Sequence, residues 1–272
     1  MPTLLSTQEN KASVSFAIDD RIFLGEGLFE TIRVFKGKPC YAALHWQRLQ
    51  KAALYLDIPF EVSLELWLEQ LDHCIKRNQL EADGIKVILS GGSATRGLLE
   101  KSNESHLVFD VFKYSINKQT LNLISAIWLR DSKNPVYQLK SVNYLEAIIA
   151  RRHAQAAGAD DALFFNGQHQ ATETTIANLF LIKDNQLFTP SLQSGVLAGI
   201  IRQRLLSLSR EQGIDCFECE LGKNKLVQAD ALFVCNALQG IRQVRSFEGH
   251  IFEINHPLIT LLQELLAKDS YC

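Results

Sequence analysis

A series of strand and helix patterns stops at a short polar segment and then begins again. This break constrains the fold of the 272-residue chain more than any other feature. Ahead of it, Val14, Phe16 and Ile18 alternate with small residues, which predicts a strand ended by Asp19-Asp20. A second strand is predicted over 28–35, closed by Lys36-Gly37-Lys38-Pro39. Helices follow over 41–56 and from Ser63 onward. Ser63 is placed to cap the second helix, and Leu64, Trp67, Leu68, Leu71 and Ile75 recur on one of its faces. Strands are predicted over 85–90 and 106–114, with the polar loop GGSATRGLLEKSNES between them. Strands and two helices in this arrangement imply an α+β unit over residues 1–114.

Residues 115–120 are short and polar, as a linker is. Beyond them, 121–272 predict a second, larger α+β unit. It opens with a strand over 121–129 and a helix over 144–157. Gly158 stands where a left-handed residue ends a helix, and Asn143 and Glu146 have capping-box spacing at its start. Asn166-Gly167 predicts a two-residue hairpin, and Lys183-Asp184-Asn185 predicts another between NLFLI and QLFTP. Further helices are expected over 199–210, with Gly213 beyond the end, and over 257–268, opened by a permitted first-turn proline. Many short strands with interspersed helices suggest a curved or barrel-like sheet.

Composition removes several classes of function. A formal net charge of -2 gives no electrostatic footprint for nucleic acid or an anionic membrane surface. No apolar run approaches the roughly 20 residues that span a bilayer. The opening MPTLLSTQENK has neither a basic n-region nor an apolar h-region, so a cytoplasmic location is expected. The six cysteines show no disulfide framework. Cys216 and Cys219 form a CxxC, but IDCFECEL alternates as a strand does, which puts residues three apart on opposite faces. No second pair completes a zinc set, so no metal is expected.

Three fragments carry chemistry. Lys140 lies in QLKSVNYLEA ahead of a predicted helix, whose positive end favours a neutral amine, the nucleophile of a Schiff base. An arbitrary lysine is more often a solvated surface charge. In SGVLAGIIRQRLL, Gly195 and Gly199 bracket a helix start, which suits either a bound phosphate or a packed turn. Glu173, in ATETTIANLF, is a carboxylate among threonines and apolar residues. Its partner would be a protonated ring nitrogen or a nearby arginine.

In order, the chain reads K-x-x-N-Y-L (140–145), G-A-D-D-A-L (158–163), E-x-x-x-x-N-L-F (173–180), T-P (189–190) and G-x-L-x-G-I-x-R (195–202). Upstream stand DDRIFLGEGLFETIRV and HWQRL. This collinear set resembles the class IV aminotransferase family over roughly residues 19–244. The resemblance implies a two-domain, fold type IV pyridoxal 5'-phosphate enzyme: a small N-terminal α/β sandwich and a larger C-terminal domain with a barrel-like sheet. It implies that Lys140 is the Schiff-base lysine and moves the proton, and that Glu173 pairs with the pyridine nitrogen. Arg48, the backbone of Ile200 and Ile201, and Asn236 with Ala237 would hold the cofactor phosphate. Tyr144 matches a position that contacts the phenolic oxygen in branched-chain members. A homodimer and a small-molecule substrate are implied too, with no nucleic-acid or membrane partner.

The family spans branched-chain aminotransferases, D-amino-acid aminotransferases and aminodeoxychorismate lyases. FVCNALQGIRQV and GGSATRG (91–97) resemble the lyase patterns, with Gly91 where lyases often carry an arginine. The resemblance therefore leans toward a lyase that releases pyruvate and forms 4-aminobenzoate for folate synthesis, with the aminotransferases as alternative. A non-catalytic binding module on the same fold is the remaining class. Arg96 would take a substrate carboxylate, and Thr31 would help orient the substrate.

Overall fold

The computed structural model describes residues 3–6 and 16–269. They form two compact units. The first comprises Met1–Ser115 and Leu139–Asn143, as far as these are described; the second comprises Ile116–Gln138 and Tyr144–Ser270, likewise.

In the first unit, β1 (Thr3–Ser6), β2 (Gly27–Phe35), β3 (Lys38–Pro39), β4 (Gly84–Ser90) and β5 (His106–Phe112) form one sheet in the order β1-β5-β4-β2-β3. β1 runs parallel to β5, and the other pairs are antiparallel. Helices α1 (Ala42–Tyr55) and α2 (Leu64–Asn78) pack on this sheet. The core is made where Leu28, Ile32 and Val34 of β2 meet Leu49 and Ala53 of α1 and Trp67 and Leu71 of α2. The Ser63 hydroxyl caps α2 by accepting from the Leu66 N–H at 3.2 Å, as its sequence position predicts. Leu68, predicted on the buried face, is 41% exposed; the stripe is narrower and runs through Trp67, Leu71, Cys74 and Ile75.

Among the described residues, the predicted first strand is not found. Val14 lies outside the described residues, and residues 16–19 are loop and turn, with Ile18 exposed. Asp20 instead caps a 3-10 turn over Arg21–Leu24, its carboxylate accepting from the Ile22 N–H.

The sequence places all of 121–272 in one unit, but Leu139–Asn143 belongs with the first. The cause is local pairing. Phe29 N–H donates to the Lys140 carbonyl at 2.9 Å, and Val142 N–H donates to the Gly27 carbonyl at 3.0 Å. Leu28 and Ser141 form an antiparallel bridge, and Leu139 packs on the first core.

The second unit is built on β6 (Leu121–Arg130), β7 (Asp161–Asn166), β8 (Ala171–Thr174), β9 (Asn178–Lys183), β10 (Gln186–Pro190), β11 (Cys216–Cys219), β12 (Ala231–Asn236), β13 (Gly240–Phe247) and β14 (His250–Ile251). Pairing runs β9-β12-β13-β6-β7-β8, and the β8–β9 pairing closes the six strands into a barrel; β10 and β11 extend from β9. Register shifts in β6, β7 and β13 mark irregularities of the kind that bend a sheet toward closure. Leu123, Leu163, Phe165, Leu179, Leu181, Leu232, Val234 and Phe247 belong to one buried cluster. Four helices complete the unit: α3 (Leu145–Ala156), α4 (Ile200–Glu211), α5 (Lys223–Val227) and α6 (Pro257–Asp269). α3 is the crossover between parallel β6 and β7 and packs on both.

Two local predictions fail here. Tyr144, not Asn143, is the residue ahead of α3, and no side chain caps that helix. The Asn143 side-chain amide donates to the Gly25 carbonyl and Ser141 Oγ, while the Glu146 carboxylate is taken by Arg130 and Trp128. At Asn166-Gly167 the connection is a four-residue loop, because the Asn166 carbonyl oxygen of the side chain accepts from both the Gln168 and Gln170 N–H groups. The other hairpin forms as predicted, with Asp184 and Asn185 both at positive φ.

Candidate active site

Of the predicted site residues, Thr31, Arg48, Arg96 and Lys140 lie in the first unit. Tyr144, Glu173, Ile200, Ile201, Asn236 and Ala237 lie in the second.

In the first unit, β2 organises three of the four. Lys140 is half-buried beside the strand, and its Nζ lies 4.3 Å from the Phe29 ring centroid. Thr31 is two residues from Phe29, so it projects from the same face of β2. Arg48 belongs to the opposite face. From α1 its Nε donates to Glu30 Oε1 at 2.7 Å and its Nη2 donates to Glu30 Oε2 at 2.6 Å. Glu30 alternates with the core residues Leu28 and Ile32 and is 1% exposed. Its Oε2 also lies 2.6 Å from Nδ1 of fully buried His45. Burial alone would raise the Glu30 pKa, but the charges and hydrogen bonds of Arg48 and His45 prevail and lower it to about 2. His45 shifts downward as well: burial is the largest cause, and with the Arg48 and Lys140 charges it outweighs the raising effect of Glu30. Its Nδ1 faces the carboxylate at hydrogen-bond distance, as a donor must, since ionised Glu30 only accepts.

Arg96 is exposed, in the loop between β4 and β5. That loop is held from beneath by buried Arg21, which pairs with Glu26 and donates to the Gly97 carbonyl at 2.9 Å and the Leu98 carbonyl at 3.4 Å. A Cβ at Gly91 would lie 3.0 Å from the Glu26 carbonyl oxygen and 3.2 Å from Arg21 Cβ, so an arginine there would crowd this anchor.

In the second unit, Glu173 lies on β8 opposite Asn178 of β9. Its Oε1 is 3.3 Å from Arg130 Nη1; its Oε2 accepts from Asn178 Nδ2 at 3.2 Å and from the Leu197 N–H at 3.1 Å. The sequence left open whether Glu173 meets a ring nitrogen or an arginine; Arg130 is an arginine that meets it. Arg130 is 6% exposed and stacks 3.5 Å from the Phe164 ring centroid. Its Nε and Nη2 pair with Glu146 Oε2, whose other oxygen accepts from Trp128 Nε1 at 2.8 Å and the Tyr137 hydroxyl at 3.3 Å. Burial, then the Glu146 carboxylate, pushes the Tyr137 pKa up. Tyr144 is half-buried at the start of α3.

The same unit brings Glu173 and the start of α4 together through Asn178. Its side-chain amide donates to the Leu197 carbonyl at 2.9 Å as well as to Glu173. A Cβ at Gly199 would lie 1.9 Å from Asn178 Oδ1, so the helix can begin against Asn178 only with glycine. Gly195 holds φ 87°, and a Cβ on it would meet the Ser132 backbone at 2.8 Å. No side chain caps α4 and no acidic residue stands in its first turn. The N–H groups of Ile200 and Ile201 have no intrahelical acceptor by their position, and they point where an anion is favoured. Asn236 ends β12 and shapes the next turn, its side-chain oxygen accepting from Leu238 N–H at 3.1 Å and Gln239 N–H at 2.8 Å.

Sequence reasoning passed over Glu30, His45, Arg130 and Asn178 as site residues. Glu30 and Asn178 stand inside the quoted motifs, and His45 opens HWQRL. The signal at Arg130 is an arginine at the end of an apolar strand, LNLISAIWLR.

Comparison with known proteins decides the family. The family described as amino-transferase class IV matches residues 27–247. The chain belongs to the class IV aminotransferases. A solved structure from Legionella pneumophila, named a putative 4-amino-4-deoxychorismate lyase, is 54% identical, with a TM-score of 0.95 over 99% of this chain and 100% of that one. Curated relatives include an aminodeoxychorismate lyase of Vibrio harveyi, 27% identical over 91% of this chain and 93% of its own length. A D-alanine aminotransferase of Bacillus licheniformis is 28% identical over 85% of this chain and 83% of its own. Class IV aminotransferases are pyridoxal-phosphate-dependent enzymes. The residues here suit that cofactor: a half-buried lysine, a half-buried carboxylate for a cationic ring nitrogen, and an acid-free, uncapped helix start for a phosphate.

Proposed function

We propose that this class IV aminotransferase is a pyridoxal-phosphate-dependent 4-amino-4-deoxychorismate lyase, releasing pyruvate and forming 4-aminobenzoate. The observation that carries the reading is the 54% identity, over essentially the whole of both chains, to the Legionella protein. FVCNALQGIRQV points the same way. The aminotransferase reading remains the second one, since a D-alanine aminotransferase matches at 28%.

Bound pyridoxal phosphate supplies an aldehyde carbon for the substrate amine and a ring that accepts the electron pair of a broken C–H bond. Lys140 would carry the cofactor, and its free Nζ would take the proton from the amine-bearing carbon of the substrate. Glu173 keeps the ring nitrogen protonated; Arg130 and Asn178 hold the carboxylate in place for that task. By the family pattern, Arg48, the Ile200 and Ile201 N–H groups and the turn at Asn236 and Ala237 would each serve the cofactor phosphate. Tyr144 would contact the phenolic oxygen. Arg96 takes a substrate carboxylate, and Thr31, on the face of Phe29, orients the substrate. Loss of the proton and departure of the enolpyruvyl ether leave an aromatic ring; the departing enol gains a proton to become pyruvate. The enzyme acts as a cytoplasmic homodimer in folate synthesis under this reading. Among the described residues, no helix is long and apolar enough to cross a membrane.

The test has two parts. The purified protein should show an absorption band at about 410–430 nm, the general range of lysine-bound cofactor, which Lys140→Ala abolishes. Supplied with 4-amino-4-deoxychorismate, it should release pyruvate. Uptake of no cofactor at all would rule out both enzyme readings and leave a binding module.

A further inference from the structure

β2 places a carboxylate where its pattern calls for an apolar side chain. Leu28, Ile32 and Val34 are buried against the helices, and Glu30 lies in the same row at 1% exposure. Burying a charge there is costly unless it is fully paired. Pairing is complete on the Glu30 side: Arg48 supplies Nε and Nη2, and His45 supplies Nδ1. Hydrophobic residues can replace a buried ion pair without loss of stability, so such a pair is better explained by what it orients. Two bonds from one edge of a planar guanidinium fix its plane and direction. The His45 contact in turn fixes the carboxylate: Nδ1 lies 2.6 Å from Oε2, the same oxygen that accepts from Arg48 Nη2. Among the described residues, buried His45 Nε2 has no hydrogen-bond partner, which agrees with a ring held for its Nδ1 contact.

We propose that Glu30, held by His45, is a positioning residue that locks the Arg48 guanidinium in the orientation in which its other edge meets the cofactor phosphate. This rests on the reading above that Arg48 binds that phosphate. Glu30 touches neither cofactor nor substrate. Replacing it with glutamine leaves one acceptor for Arg48 and turns an NH2 group toward a donor, so the two-point hold is lost.

The experiment titrates the apo-protein with pyridoxal phosphate and, separately, with pyridoxal, which lacks the phosphate, following tryptophan fluorescence. Glu30→Gln is expected to weaken pyridoxal phosphate at least tenfold while pyridoxal changes less than twofold. Adding Glu30→Gln to Arg48→Gln should weaken pyridoxal phosphate no further than Arg48→Gln alone. Equal weakening of both ligands would make Glu30 a merely structural residue and overturn the proposal, as would unchanged affinity for both. Glu30→Asp keeps the countercharge but is one methylene too short to span both Arg48 contacts, and it decides the case if Glu30→Gln does not fold. Selective weakening of pyridoxal phosphate supports orientation, and full retention shows that charge alone suffices and overturns it. A wild-type protein that binds no pyridoxal phosphate overturns the cofactor reading itself, and this proposal with it.

Discussion

Arg130 holds two half-buried carboxylates apart and in place, and its removal gives a measurable effect. Its guanidinium, 7% exposed, is 3.3 Å from Glu173 and 2.9 Å from Glu146, whose side chains are 14% and 28% exposed. Arg130→Met keeps most of the stem that packs on Phe164 but removes the charge. Breaking a buried pair by deleting one partner costs about 3–5 kcal/mol; because both carboxylates keep some contact with water, the low end, about 3 kcal/mol, is expected here. At about 2–4 °C per kcal/mol for a chain of this size class, the melting temperature of the apo-protein should fall on the order of 10 °C. Calorimetry on the wild type, Arg130→Met and the triple variant Arg130→Met/Glu146→Gln/Glu173→Gln checks this. The triple variant should recover at least half of the loss, since no unpaired charge is left behind. A single variant within about 1 kcal/mol of wild type, the range of a solvent-screened surface pair, would refute the claim that Arg130 is the internal countercharge of Glu173.

Three further outcomes follow from named contacts. Glu30 titrates near 2 in the fold against 4.5 as the ordinary value. Its stabilisation is therefore fully present above about pH 5 and lost as pH falls toward 2, worth about 3 kcal/mol; acid unfolding followed in wild type and Glu30→Gln should show the variant losing less over that window. Gly199→Ala has a permitted φ but would drive a Cβ to 1.9 Å from Asn178 Oδ1, so it should cost about 1–3 kcal/mol by overpacking and weaken pyridoxal phosphate in an apo-protein titration. Ser63→Ala removes the α2 cap and should cost about 1 kcal/mol in denaturant unfolding, with cofactor affinity unchanged.

The chain shows its fold most openly where local and tertiary requirements agree. Ser63 ahead of the Trp67–Leu71–Ile75 stripe, and Asp184-Asn185 between two apolar runs, specify an α2 helix and a hairpin with little help from distant residues. Legibility ends where a distant partner outbids a local one. Asn143 and Glu146 have capping-box spacing, but Gly25 and Arg130 take their side chains. Lys140 precedes a helix in sequence, but β2 claims its backbone through Phe29. The same holds for the candidate site. Lys140, Arg48 and Glu173 were legible only as members of an ordered motif set. The pairings of Glu30 with His45, and of Arg130 with Glu173, were invisible because contacts across 15 and 43 residues make them, and no periodicity encodes such contacts.

The most direct measurement of the function assigned here is a product balance. Purified holoenzyme is supplied with 4-amino-4-deoxychorismate, alone and with competing amino donors and 2-keto acids, and pyruvate, 4-aminobenzoate and transferred amino groups are counted. The expected result is pyruvate and 4-aminobenzoate in equal amounts, with neither formed by Lys140→Ala. An amino group transferred to a 2-keto acid without pyruvate from 4-amino-4-deoxychorismate would contradict the lyase assignment and establish the aminotransferase in its place.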